Sequence, residues 1–213
     1  MVVQSHSAAF FCPQGRAPPE RYLVSLQAFL RQNPYGECLL QHVVRLDEVF
    51  QMFCSARDDI RTLPNGPSYV RMLIDWAAGG SSAAISQARN GIIALPLLLI
   101  LQLGQYLRYL EIHSLSHSDF VEQVRHVGGI QGYCGGAAAA LSIACAKDEA
   151  EVIQNAAVFL RLLVGIGACI EAADHPSTGE STVIACRLKH EGQGEELAAR
   201  FPGVSFSAPL DAF

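Results

Sequence analysis

The chain has 213 residues, enough for one large domain or one and a half small ones. Half of them are hydrophobic and 16% are charged, below the roughly 25% of a typical soluble domain, which suits a packed core with little solvated tail. Net charge is −5 and the 15 basic residues form no runs, which excludes a nucleic-acid surface.

At the N-terminus, "MVVQSHSAAFFCPQGRAPP" lacks a basic region followed by a long apolar one, so no secretory leader is expected. Within it "SAAFFC" (7–12) predicts a short buried strand, stopped by Pro13 and followed by the loop "PQGRAPP". From Pro19 to about Pro64 the pattern is helical. One stripe comprises Leu23, Leu26, Phe29 and Leu30, and another comprises Leu39, Leu40, Val43, Val44, Leu46, Val49 and Phe50. Asn65-Gly66-Pro67 is a turn signal, and "SYVRMLIDWAA" predicts an amphipathic helix closed by Gly79-Gly80.

Residues 93–111 are apolar on nearly every face, the pattern of a helix buried against a sheet. The run "GIIALPLLLILQLG" is interrupted by Pro96 and Gln102 and falls short of the ~20 apolar residues of a spanning helix, so neither a membrane span nor a membrane partner is expected. Ser116 followed by Asp119 predicts a capped short helix, and "HVGGIQGY" a second buried strand. The alanine run from 137 and "DEAEVIQNAAVFLRLLVGIGACIEA" predict two further helices, the second opened by Asp148 and Glu149 as the helix dipole favours. "ADHPSTGEST" (173–182) reads as a linker between subdomains. After it come a strand in "TVIACRL", a helix in "GQGEELAARF" and a strand in "GVSFSAPL".

Seven cysteines (Cys12, Cys38, Cys54, Cys134, Cys145, Cys169, Cys186) form an odd set without a CxxC pair. That spacing gives neither a disulfide framework nor a zinc site, and a reducing cytoplasmic location is expected. His113 and His117 stand four apart, but a structural zinc needs four ligands and none completes the set, so no metal is expected.

The stretch with the most chemistry is Gly132-Tyr133-Cys134-Gly135-Gly136, which fits G-x-C-x-G, the cysteine form of the nucleophile elbow. In such an elbow a strand turns sharply into a helix with the nucleophile at the apex, and glycines two residues to either side avoid a clash across the turn. The N–H after the nucleophile, here that of Gly135, is placed to stabilise an oxyanion. Thiols at helix N-termini also ionise more readily than free ones. An ordinary Gly- and Ala-rich turn carrying a buried cysteine has the same local composition, and the motif alone leaves both readings open.

The longer blocks "FFCPQGRAP", "LPLLLILQLGQYLRYLE", "HSDF", "GGIQGYCGG" and "VIQNAAVFLRLLVGIGA", in this order, resemble the starter-unit acyltransferase domain of fungal non-reducing polyketide synthases. Within that group the chain is most similar to domains from methylated aromatic synthases of meroterpenoid pathways. The resemblance spans essentially all 213 residues. It implies an α/β fold, a malonyl-transferase-like (α/β-hydrolase-like) core over 1–174 with the incomplete beginning of a ferredoxin-like small subdomain over 180–213. It also implies an activity: an acyl group passes from an acyl-CoA or acyl-pantetheine thioester onto a cysteine. From there it passes to the phosphopantetheine arm of an acyl carrier protein, with no bound cofactor and with the rest of a polyketide synthase as partner.

Carried over by position, the resemblance makes Cys134 the nucleophile and gives Gly135 and Gln14 to the oxyanion hole. Malonyl-selective relatives carry an arginine where this chain has Phe159, which implies an uncharged starter such as acetyl or a short fatty acyl group. Arg161, two positions on, points about 200° away around a helix and reads as a solvent or inter-helix residue. The family's general base is a histidine after the small subdomain. None of His6, His42, His113, His117, His126, His175 and His190 matches it, and a slower transfer cycle is expected. His126 reads as a capping or packing residue. Two other readings stay open: a non-catalytic remnant serving as a docking module, and an α/β cysteine hydrolase.

Overall fold

A computed structural model of the chain describes residues 8–12, 18–88, 90–126, 128–173 and 193–200. The chain divides into two units, Met1–Ala173 and Asp174–Phe213.

The first unit opens with strand β1 (Ala9–Phe11), then α1 (Glu20–Gln32), α2 (Pro34–Val44), α3 (Leu46–Ala56), the single turn α4 (Asp58–Arg61), α5 (Gly66–Ala77) and α6 (Ala83–Gln87). The long α7 (Gly91–His113), α8 (His117–Arg125), strand β2 (Ile130–Gly132), α9 (Gly136–Ala144) and α10 (Glu149–Ala173) complete it. In the second unit the described residues form one helix, α11 (Gln193–Arg200). The remaining expectations beyond Ala173, including the linker, both strands and the ferredoxin-like beginning, lie outside the described residues.

Local chemistry explains the breaks in the helical stretch before Pro64. Asn33 ends α1 in extended geometry, and its side chain accepts from the N–H groups of Tyr35 and Gly36 at 3.1 and 3.0 Å. Pro34 then occupies the first turn, where its missing N–H costs nothing. Ser116 and Asp119 form a reciprocal capping box at the start of α8, as their spacing predicts. Asp148 accepts from the N–H of Glu151 and starts α10.

The core is helical. The fully buried face of α1 (Leu23, Leu30) packs on α2, while α2 (Leu39, Val43) and α3 (Phe50) close over α5, whose Trp76 donates its indole N–H to the buried Ser82 hydroxyl at 3.1 Å. The most extensive packing joins α7 to α10, and Glu171 of α10 accepts from the N–H of Gly91, the first residue of α7. So α7 is buried chiefly among helices, with only a small sheet nearby. Pro96 and Gln102 do not end it. Both sit inside one 23-residue helix, because burial on every face outweighs one missing rung. By length and composition α7 and α10 both suffice to cross a membrane, a correction to the expectation from the interrupted run. In α7, 72% of the most apolar window is already buried inside the fold. In α10 the figure is 44%, and Val158, Leu162, Ile166 and Ile170 form an exposed apolar stripe along it.

Among the described residues the sheet is a parallel pair, with Ala9 opposite Ile130 and Phe11 opposite Gly132. The helices α1 to α8 form the crossover, and α9 packs over both strands. Neither strand is buried on both faces as expected. Ala9, Phe11 and Ile130 pack against the core, whereas Phe10 is 66% exposed and Gln131 faces out. Two strands cannot form the interior of a doubly covered sheet, so one side chain in two meets solvent.

One buried polar knot joins α7, α8 and the start of α10. The carbonyl of Ala146 can only accept, so the facing Nε2 of His117 (2.9 Å) carries the proton and its Nδ1 accepts from the Tyr106 hydroxyl at 2.6 Å. Glu149 accepts the backbone N–H of His117 at 2.8 Å. Burial, with the Glu149 carboxylate adding to it, pushes the Tyr106 hydroxyl well above the usual 10.0. Tyr106 stays neutral when folded and ionises near pH 10 when unfolded, so its contribution is complete below that pH and is lost as pH rises above it. Tyr106→Phe is expected to cost about 1–3 kcal/mol at neutral pH, by stranding Nδ1, and to flatten the alkaline fall in stability. Thermal melts of both proteins from neutral pH to about pH 11 check this; parallel curves would refute it.

Candidate active site

β2 ends at Gly132, and α9 begins at Gly136, leaving three residues to reverse the chain. Cys134 sits at the apex with φ of 53°, in the left-handed region. Two other non-glycine residues among those described share this property, Asn65 and Ser114, and each lies at a helix end. Left-handed backbone costs a residue with a Cβ about 1–3 kcal/mol and persists where the surroundings impose it.

Those surroundings are identifiable. The N–H of Tyr133 donates to the carbonyl of Phe11 at 3.0 Å, which anchors the elbow to the end of β1. The N–H of Gly136 donates to Tyr133 and that of Ala137 to Cys134, at 2.9 and 3.0 Å, closing the first turn of α9. A Cβ on Gly136 would overlap the Phe11 carbonyl, and one on Gly132 would stand 2.5 Å from the carbonyl oxygen of Gly136. Strand and helix therefore touch backbone to backbone, with Ala137 and Ala140 keeping α9 close. Gly135 meets Leu98 of α7, where an added Cβ would come within 2.6 Å.

The result is an exposed thiol at a helix N-terminus. The adjacent Gly135 N–H has no backbone acceptor among the described residues. A thiol beside a donor without a backbone acceptor is an arrangement able to support acyl chemistry.

Gly132, Cys134, Gly135 and Gly136 are thus brought together at one turn. Gln14 lies outside the described residues. Phe159 lies on α10, half-buried and packed against the core. Arg161 is exposed, and its charge, after burial and together with Arg45, helps hold His42 below its usual range. None of the described histidines hydrogen-bonds Cys134. His113 stacks on Tyr109, His117 is buried in its polar knot, and His126 ends α8 with its ring on Glu122 at 3.2 Å. No group of three or more His, Cys, Asp or Glu converges on a common point among the described residues.

One contact beside the elbow was missed by sequence reasoning. Gln102, on the buried α7, donates its amide to the carbonyl of Cys12 at 2.6 Å, just past β1. The signal was present, because a lone amide inside an apolar helix must find a partner or cost free energy.

Residues 51–202, which include the whole elbow, match the family model described as "Starter unit:ACP transacylase in aflatoxin biosynthesis". The chain belongs to that family. Among similar curated proteins, the chain is 61% identical over 196 residues to the non-reducing polyketide synthase Preu6 of Preussia isomera. That alignment covers 92% of the chain and 9% of the relative. It is 41% identical to the non-reducing polyketide synthase atr1 of Stereocaulon alpinum, over 96% of the chain and 8% of that protein. It is 33% identical to the non-reducing polyketide synthase ascC of Acremonium egyptiacum, over 98% of the chain and 10% of that protein. The chain therefore spans about a tenth of the length of the curated relatives it matches.

Proposed function

We propose that this chain loads an uncharged starter acyl group, acetyl or a short fatty acyl, onto an acyl carrier protein through Cys134, within fungal aromatic polyketide or meroterpenoid biosynthesis. The observation that carries the reading is the left-handed apex of Cys134 inside the stretch that matches the transacylase family. The thiolate attacks the carbonyl carbon of an acyl-CoA or acyl-pantetheine thioester, and the oxyanion is met by the N–H of Gly135 and by Gln14. Collapse expels the donor sulfur, which takes up the proton that Cys134 released. The phosphopantetheine thiol of the carrier then repeats the exchange in reverse. One thioester replaces another at each stage, so neither step needs an energy source.

A thiol is intrinsically nucleophilic and partly ionised at neutral pH, so the first exchange proceeds without a histidine in contact. Phe159 in place of a cation supports an acyl group without a free carboxylate, since a buried carboxylate requires a paired charge. Parallel strands joined to a helix by the elbow support a malonyl-transferase-like core. All six described cysteines are free, which supports a reducing cytosolic setting.

The test is intact-protein mass after incubation with acetyl, hexanoyl or malonyl thioesters, beside Cys134→Ala. One acyl mass from acetyl or hexanoyl, little from malonyl, and none in the variant is the expected result. A folded protein that gains nothing overturns the reading. Gain from malonyl alone overturns the starter assignment.

A further inference from the structure

Gln102 lies inside the long apolar helix α7 and is only 6% exposed. Its Nε2 donates to the carbonyl of Cys12, and its Oε1 is buried with no hydrogen-bond partner among the described residues. The amide cannot flip to relieve this. A flip would point Oε1 at a carbonyl that has nothing to donate, and would break the one bond the side chain makes. The fold therefore retains a buried, unsatisfied acceptor at a position where leucine would fill the same space without that cost.

The neighbours of Gln102 indicate what it does there. Leu98 lies one turn earlier on the same face of α7 and abuts Gly135, directly after the nucleophile. Phe11, next to Cys12, accepts the N–H of Tyr133, directly before it. One face of α7 thus touches the elbow through Leu98 and the end of β1 through Gln102. The backbone bond from Phe11 to Tyr133 closes the circuit.

We infer that Gln102 is a positioning residue, holding the end of β1 at a fixed height against the elbow so that the Gly135 N–H meets the oxyanion formed at Cys134. The inference rests on Cys134 being the acyl acceptor. Leucine would relieve the unsatisfied acceptor at the cost of the one bond to the Cys12 carbonyl, and so would not fix where Cys12 stands. A sub-ångström drift of β1 would leave the thiol reactive and the oxyanion unsupported.

Three proteins test this on the full 213-residue chain: wild type, Gln102→Leu and Gln102→Glu. Two rates are measured for each: single-turnover acylation of Cys134 by an acetyl thioester, and alkylation of the same thiol by iodoacetamide. Alkylation forms no oxyanion and reports the thiol alone. Gln102→Leu is expected to melt no lower than wild type and to alkylate at a similar rate. Its acylation is expected to fall about tenfold or more.

In Gln102→Glu only the protonated carboxyl can donate to Cys12. Its acylation rate relative to wild type is therefore expected to rise as pH is lowered from about 8 to about 5.5. A packing role leaves that ratio flat. Acylation by Gln102→Leu at the wild-type rate overturns the inference. If the leucine variant does not fold, a flat ratio in the glutamate variant overturns it. Wild type that alkylates but never acylates removes the acyl-transfer reading itself, and the inference falls with it before any variant is compared.

Discussion

Cys134→Gly is expected to be more stable than Cys134→Ala by about 1 kcal/mol, while neither takes up an acyl group. Both remove the sulfur, so both lose the proposed covalent step entirely. They differ in the backbone at φ of 53°. Alanine keeps a Cβ and therefore keeps the left-handed cost, whereas glycine occupies that region freely. The melting temperatures should separate by roughly 2–4 °C for a domain of this size. Equal melting points, or a more stable alanine variant, would mean that the apex is unstrained and that the geometry alone does not mark Cys134 as functional. The expected outcome is a residue kept at a position where another would fold better.

Gly136→Ala carries the larger stability effect, expected at about 3 kcal/mol, at the upper end of ordinary overpacking. The new methyl overlaps the carbonyl of Phe11 and comes within 3.1 Å of the Cys12 nitrogen, both backbone atoms that cannot rotate away. Relief requires β1 to shift off α9, which also pulls the Phe11 carbonyl from the Tyr133 N–H that anchors the elbow. Acylation should therefore fall with stability. Gly129→Ala is the control. Its φ is +65°, but nothing lies within 4 Å of the added carbon, so it costs backbone strain alone, about 1 kcal/mol. Equilibrium urea unfolding ranks the two, and a Gly136→Ala protein no weaker than the control would refute the backbone contact.

The elbow was legible because its chemistry is local. Glycine spacing, the strand-like run before it and the alanine run after it all lie within twenty residues, and steric exclusion across a tight turn leaves few alternatives. The capping box at Ser116 and Asp119 was legible for the same reason. The break at Asn33 was equally local, yet the apolar stripes on either side masked a side-chain cap followed by proline.

Burial was harder to read. "SAAFFC" and "HVGGIQGY" look like interior strands, but exposure of Phe10 depends on how many strands stand beside it, which neither segment encodes. Pro96 and Gln102 break the apolar run within the helix expected over 93–111. Only the surrounding α1, α2, α5, α9 and α10 explain why it continues, and why an amide is tolerated at 102.

The pairing of Ala9 with Ile130 has a kinetic consequence. Some helical contacts span as much chain, as where α10 packs on α2 and α3, but they join long helices, whereas this ladder closes a loop of about 120 residues, whose entropy must be lost before three short rungs return anything. The helices are therefore expected to assemble first and the apex last. In reverse, this corner should open well before the helical layer melts. Amide hydrogens of Gly132 to Ala137 should then exchange through a low-energy local opening while those of α7 exchange only on global unfolding. The reactive turn is the final piece to be ordered and the first to be released.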